Sequence, residues 1–298
     1  MHQGLTDGPE LERLAALGWD AGFARTNDEG VRVVDRNVEV DYPTEGLAAL
    51  GLDGGSGYWF DHRVEVVAAA ISATTDVRTI WDVGAGTGGM ARRLARAGFE
   101  VIAVEPIMAG AAAIARQQCG PVFCGSFAGL GLPPDCLRVV GLFDVIEHLG
   151  DPSALLSDIG RALEPGGIVV ITVPALPALW STEDDVAGHH RRYTKGSLDA
   201  LMRQCGYRAV TAEYIFASLL LPAIALRTIP YRLGRRRSAE HVHSATTRHL
   251  APSTSIDAAA RRILRAERAI GRRVPLPVGL SVLGVYKIAK SDATGSGR

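Results

Sequence analysis

Two groups of residues in this sequence have the types and spacing to do chemistry. The first is Ile80 to Gly89, Ile-Trp-Asp-Val-Gly-Ala-Gly-Thr-Gly-Gly, with Asp82 two residues ahead of Gly84 and glycine recurring at Gly86, Gly88 and Gly89. Closely spaced glycines let the backbone turn sharply and let a ligand approach without a Cβ in its way. The run fits two patterns, because Gly84, Gly86 and Gly89 satisfy G-x-G-x-x-G while Asp82, Gly84, Gly86 and Gly88 satisfy acid-x-G-x-G-x-G. Asp82 discriminates between them: a carboxylate there repels a pyrophosphate and suits a ligand that carries positive charge. Glu105 closes the apolar run Glu100-Val-Ile-Ala-Val-Glu, at about the spacing where an acid meets a ribose hydroxyl pair. The second group is Asp144-Val-Ile-Glu147-His148, joined by His189 and His190 in a stretch rich in charge, Ala175 to Thr194. Imidazoles beside carboxylates suit proton transfer or the binding of a divalent ion.

Positioning these residues requires strands that end at them and helices that start beyond them. Arg78 to Gly84, Glu100 to Pro106, Pro121 to Gly125, Leu137 to Val145 and Gly167 to Pro174 read as buried-type strands. Helix-period stretches alternate with them at Gly89 to Ala97, Ala109 to Gln118 and from Asp151-Pro152 to Leu163, with Asp151 as the expected cap. Such alternation demands an α/β fold with a mostly parallel sheet, helices on both faces and ligands at the carboxyl ends of the strands. A helix from Lys195 to Cys205, a sixth strand from Arg208 to Phe216 and a seventh from Gly279 to Ile288 follow. Ahead of the first strand, Tyr58 to Ile71 has one apolar helical face, and Leu11 to Gly18 has helical period with a glycine stop.

The series Trp81 to Pro174, with Asp82-x-Gly-x-Gly-x-Gly, Val-Ile-Ala-Val-Glu105, Phe143-Asp144 and Leu163-Glu-Pro-Gly-Gly167, resembles the class I S-adenosylmethionine (SAM)-dependent methyltransferases of small-molecule type. The resemblance implies a Rossmann-like, seven-stranded sheet that binds SAM, whose ammonium and sulfonium suit Asp82. It implies a SAM site lined by Asp82, Gly84, Gly86, Gly88, Glu105 and Asp144. Ser126 and Phe127 follow the third strand, where the family holds the adenine, although the usual Asp or Asn is absent there. Trp59 starts the helix that in the family closes over SAM; alternatively Tyr58, Trp59 and Phe60 pack that helix on the sheet. In the family the last two strands form a hairpin, whereas here about sixty residues intervene. The expected organisation is therefore an N-terminal extension or cap over 1–57, a SAM-binding core over 58–216, a helical cap over 217–277, the last strand within 278–290 and a disordered tail over 291–298.

The expected activity is methyl transfer to a small, largely apolar metabolite, with an oxygen acceptor favoured over nitrogen or carbon. Asp144, Glu147 and His148 resemble the acid-x-x-Glu-His pattern of certain metal-assisted O-methyltransferases, to which His189 or His190 could add a ligand, but position 144 is Asp rather than Glu. Three readings stay open: a divalent ion held by this group; a metal-free general base, His148 or His189, with Glu147 orienting it; or a Glu-His that merely caps a helix. The metal-free base is favoured over the ion, so that Glu147, His148, His189 and His190 are candidate catalytic residues with no metal assigned. Two other functions compete, a nicotinamide-dependent oxidoreductase, against which Asp82 argues, and a non-catalytic partner protein of the same fold.

Composition sets outer limits. The 298 residues include 32 basic and 32 acidic ones, so no basic excess points to nucleic acid. Four cysteines at 119, 124, 136 and 205 have neither zinc spacing nor disulfide density. No apolar run reaches the ~20 residues that span a bilayer, and no leader pattern opens the chain, which places the protein in the cytoplasm as an expectation.

Overall fold

The computed structural model describes residues 8–19, 24–34, 57–238, 242 and 254–289. Elements run in the order α1 (Gly8–Ala16), β1 (Ala24–Thr26), β2 (Arg32–Val34), α2 (Tyr58–Thr74), β3 (Thr79–Val83), α3 (Gly89–Arg96), β4 (Glu100–Glu105), α4 (Met108–Arg116) and β5 (Val122–Cys124). They continue with β6 (Leu137–Phe143), α5 (Ser153–Ala162), β7 (Leu163–Pro174), α6 (Thr182–Ala187), α7 (Lys195–Gln204), β8 (Tyr207–Ile215), α8 (Thr254–Gly271) and β9 (Ser281–Ile288). One sheet of order β1-β2-β5-β4-β3-β6-β7-β9-β8 results. Strands β2 to β7 pair in parallel, β9 lies antiparallel between β7 and β8, and β1 is antiparallel at the other edge.

Period-two alternation explains why both faces are covered. Trp81, Ile102, Val140, Val169 and Ile171 point into one core with Leu11, Leu14, Leu156, Ile159 and Leu198. Their neighbours Ile80, Val101, Val139, Ile168 and Val170 point into the other with Val67, Ile71 and Leu94. Strand order reverses at β3, whose neighbours are β4 and β6, so the crevice for a ligand opens at the carboxyl end of β3.

Among the described residues the sheet has nine strands rather than seven. The additions, β1 and β2, have three residues each, too short to show a period, and form a hairpin whose second strand extends β5. The N-terminal region also enters the core: Leu11, Leu14 and Trp19 are buried, and Trp19 Nε1 donates to the Leu130 carbonyl at 2.9 Å. β7 begins at Leu163, ahead of the expected Gly167, because Leu163 pairs with Leu137 across a register shift. The stretch from Ala175 to Thr194 contains the helix α6, set by a Ser181–Asp184 capping box. α5 starts at Ser153, one residue later than expected, with Pro152 rather than Asp151 at the cap position, although Asp151 Oδ1 accepts the Ser153 N–H at 2.9 Å.

Between β8 and β9, the described residues 217–232 and 254–271 are helical. Short turns at Ala217–Leu219, Leu220–Ala223, Ile224–Thr228 (a π-turn) and Ile229–Arg232 precede α8. α8 docks on α2 through ion pairs from Arg261 to Asp61 and from Arg268 to Glu65, the latter at 2.9 Å, and Glu267 accepts the Ser218 N–H at 2.7 Å. The expected tail 291–298 and most of the glycine break before Tyr58 lie outside the described residues. No described helix is long and apolar enough to cross a membrane.

Candidate active site

The glycine run becomes a tight turn because three of its residues take positive φ: Gly84 at 75°, Gly86 at 60° and Gly88 at 84°. A Cβ on Gly84 would stand 2.8 Å from Val145 Cγ2, so the turn excludes any side chain there. Two acids face it. Glu105 is fully buried, with the Gly86 N–H donating to Oε2 at 2.7 Å and the Ile107 N–H to Oε1 at 2.9 Å. Burial pushes its carboxyl up to about 7, against the pull of those two amides. Asp82 is 1% exposed, and neither carboxylate oxygen has a hydrogen-bond partner. Burial, and then the neighbouring Glu105, push it to about 7 as well. A carboxylate orphaned in this way is costly unless something with donors or positive charge completes it. The SAM cofactor of the resembled family meets that need, and each Glu105 oxygen keeps a lone pair for a hydroxyl donor.

The end of β6 and the first two turns of α2 lie beside this turn. Asp144 takes φ 58°, turning the chain out of the strand. It accepts the Thr172 hydroxyl at 3.1 Å and forms an ion pair with the buried Arg63 of α2. Arg63 lies 5.3 Å above the Trp59 ring, which stacks on Phe216 with centroids 3.7 Å apart and planes within 5°. Asp144 is thereby occupied by Arg63.

Glu147 and His148 sit in a short turn, Ile146–His148, immediately after. Glu147 is fully buried with both oxygens unpartnered, and burial, then the charge of Asp144, hold its carboxyl well above the usual range. His148 is pushed down to about 4, first by burial and then by the neighbouring His189, although its bond to the Ala187 backbone opposes this. His189 stands edge-on to it, with centroids 4.7 Å apart. Its Nδ1 meets Asp184 Oδ1 at 2.8 Å, which leaves Nε2 as the ring's other functional atom. Burial opposes the charge on Asp184, but His189 and Arg192 overcome it and hold the carboxyl at about 2. Arg192 donates to both oxygens at 2.7 and 3.0 Å, and the Ser181 N–H and hydroxyl complete the shell at 2.9 and 3.1 Å.

The structure therefore brings Glu147, His148 and His189 together, with possible ligand atoms all within 4.8 Å of one another. His190 is not among them: its ring is exposed and only its backbone N–H is engaged, with the Glu147 carbonyl at 2.8 Å. Phe127 is 4% exposed in the core, and the Ser126 hydroxyl accepts the Gly129 N–H at 3.1 Å, so these two shape the turn after β5. Sequence reasoning passed over Asp184 and Arg63. Asp184 had a signal, the Ser-x-x-Asp capping spacing five residues before His189; Arg63 had none. Cavities of about 220 and 330 Å³ lie beside Asp61 and Arg261 and beside Asp199 and Arg208; neither is lined by Asp82, Glu105, Glu147, His148 or His189.

A family model described as a methyltransferase domain matches residues 58–212. The chain belongs to the class I SAM-dependent methyltransferase family. Among family relatives, a probable SAM-dependent methyltransferase of Mycolicibacterium smegmatis is 30% identical over 162 residues, covering 53% of this chain and 63% of its own length. A second, from Mycobacterium tuberculosis, is 30% identical over 118 residues, covering 39% of this chain and 43% of its own. The chain thus spans less than two thirds of either curated relative. Phosphoethanolamine N-methyltransferase 2 of Haemonchus contortus, solved with S-adenosylhomocysteine, shares the fold at a TM-score of 0.53 and 15% identity, over 82% of this chain and 57% of that one. The cofactor of the family is SAM, and the orphaned Asp82 and the side-chain-free turn at Gly84 fit it.

Proposed function

We propose that this protein transfers a methyl group from SAM to a hydroxyl oxygen of a small, largely apolar acceptor. The observation that carries the reading is the Asp184–His189 pair standing against His148 beside the strand ends. Asp82, Gly84, Gly86, Gly88 and Glu105 would hold the cofactor, with Glu105 accepting from its ribose hydroxyls and Asp82 facing its positive charge. Bound there, it supplies an electrophilic methyl group on a sulfonium sulfur.

The remaining work is positioning and proton removal. Asp184 fixes the His189 tautomer through Nδ1, leaving Nε2 to take the proton that leaves the acceptor hydroxyl. The imidazolium so formed is stabilised by the same carboxylate. His148, neutral at physiological pH because its pKa is about 4, packs against that ring without adding charge. A fixed base of this kind serves an oxygen acceptor, whose proton must be removed. The half-buried Trp59 ring, which lies against Arg63, the ion-pair partner of Asp144, supplies apolar surface on this side, which supports the apolar character of the acceptor.

One observation favours a second reading, in which Glu147, His148 and His189 hold a divalent ion against the acceptor oxygen. Glu147 is fully buried and unpartnered next to two imidazoles, and an ion would satisfy it. Both readings are tested by incubating the protein with methyl-labelled SAM and a metabolite extract, then identifying the labelled product. An O-methyl product formed equally in EDTA supports the base alone. Loss of transfer in EDTA with recovery in zinc or magnesium supports the ion, and labelling of nitrogen or carbon overturns the oxygen assignment.

A further inference from the structure

The segment that leaves β8 for the insertion exposes more apolar surface than a helix packed against its own protein should. Leu221 is 76% exposed, Leu226 59%, Ile229 47% and Leu233 69%. These four follow one another at intervals of five, three and four residues, and the first step crosses the π-turn Ile224–Thr228, whose wider winding absorbs the extra residue. They therefore form one ridge, roughly 18 Å long at 1.5 Å per residue. The opposite side is anchored: Thr228 is buried, with its hydroxyl donating to the Leu179 carbonyl at 3.3 Å.

Charge tells what the ridge meets. Between Ala217 and Ser238 the sequence holds five arginines, at 227, 232, 235, 236 and 237, and no Asp or Glu. The carboxylates that face them come from α6: Glu183 reaches Arg227 and Arg237 at 3.4 Å, and Asp185 reaches Arg236 at 4.0 Å. A positive excess remains on exposed guanidiniums at the C-terminal end of an exposed apolar ridge. Apolar side chains that enter the acyl boundary, with arginines at headgroup level, are the composition of an interfacial helix on an anionic bilayer. A second copy of the chain would bring five like charges against these five.

We propose that the Leu220–Arg237 segment docks this protein peripherally on an anionic lipid surface. The ridge is continuous with the candidate site, since Arg232 donates to the Ala178 carbonyl at 2.8 Å and the Glu183 ion pairs lead into the helix that carries Asp184. Docking would place that site beside acceptors that partition into the bilayer. The inference concerns binding and does not depend on the transfer reaction.

Flotation of the full chain with vesicles tests it, using phosphatidylcholine alone and phosphatidylcholine with about a third phosphatidylglycerol, a mixture set by the need for a strongly anionic surface. The wild-type protein should float with the anionic vesicles and lose binding in high salt. Leu221→Glu with Leu233→Glu should lower the bound-to-free ratio by about tenfold or more. Arg235→Glu with Arg236→Glu should do the same on anionic vesicles only. Circular-dichroism melts of each variant confirm folding; both pairs change exposed residues, so a melt like the wild type's is expected. Absence of flotation on anionic vesicles overturns the proposal. So does flotation that survives the leucine pair, or a wild-type dimer in light scattering that the leucine pair dissolves.

Discussion

Binding of SAM should release protons near neutral pH. In the free protein Asp82 and Glu105 are both held at about 7 by burial, the former also by its neighbour. A ligand that brings positive charge to Asp82 and hydroxyl donors to Glu105 favours their ionised forms. A carboxyl that falls from about 7 to two or more units lower gives up about half a proton at pH 7, and two such groups give up about one. Affinity then rises about tenfold between pH 6 and 8 if one group responds, and up to about a hundredfold if both do. Titration calorimetry at pH 7 in phosphate and in Tris reads the proton count from the difference in enthalpy, and the dissociation constant is followed over the same pH range. Asp82→Asn should remove part of the slope. An enthalpy independent of buffer together with a flat affinity from pH 6 to 8 would refute the placement of both acids at the cofactor. Without ligand the same groups act on stability with a definite sign: their raised folded pKa values stabilise below pH 4, and that contribution is lost as pH rises through 7.

Other changes have separate readouts. Glu105→Ala should weaken SAM binding by about 1.5–3 kcal/mol, the range for hydrogen bonds to a charged group, as measured by calorimetry. Gly84→Ala places a Cβ 2.8 Å from Val145 Cγ2 at φ 75°, so denaturant midpoints should show a loss of about 1–3 kcal/mol. Asp184→Asn leaves Arg192 without its carboxylate partner in a largely buried shell and should destabilise by about 3–5 kcal/mol. His148 is depressed from 6.5 to about 4, so the folded state resists a proton that the unfolded chain accepts. Melting temperature should therefore fall as pH drops from 6.5 through 4, and His148→Gln should flatten that part of the curve.

The parallel core was readable because its chemistry and its periodicity coincide: Asp82 to Gly89 and Glu105 stand where strands must end. β1 and β2 were not, because three residues such as Ala24-Arg-Thr carry no period and become a strand only by pairing with a neighbour already in place. From their position after β5, Ser126 and Phe127 are expected at the adenine; Phe127 is 4% exposed and belongs to the core cluster that also holds Leu130 and Leu132. The second group was visible as residue types but not as partners. Asp144 looked like a companion of Glu147, and Arg63, which the sequence sets 81 positions away, takes it instead. Asp184 looked like one acid in a charged loop; only the fold of α6 turns it toward His189 and Arg192.

Transfer of label from methyl-tritiated SAM into acceptor extracted by organic solvent, compared for wild type and His189→Gln from pH 6 to 9 with SAM affinity measured in parallel, tests the oriented base most directly. His189→Gln should lower the initial rate by about a hundredfold to ten-thousandfold while leaving the SAM dissociation constant unchanged. An equal rate in the variant, with the same pH profile, would contradict the role of His189 and leave positioning alone to carry the reaction.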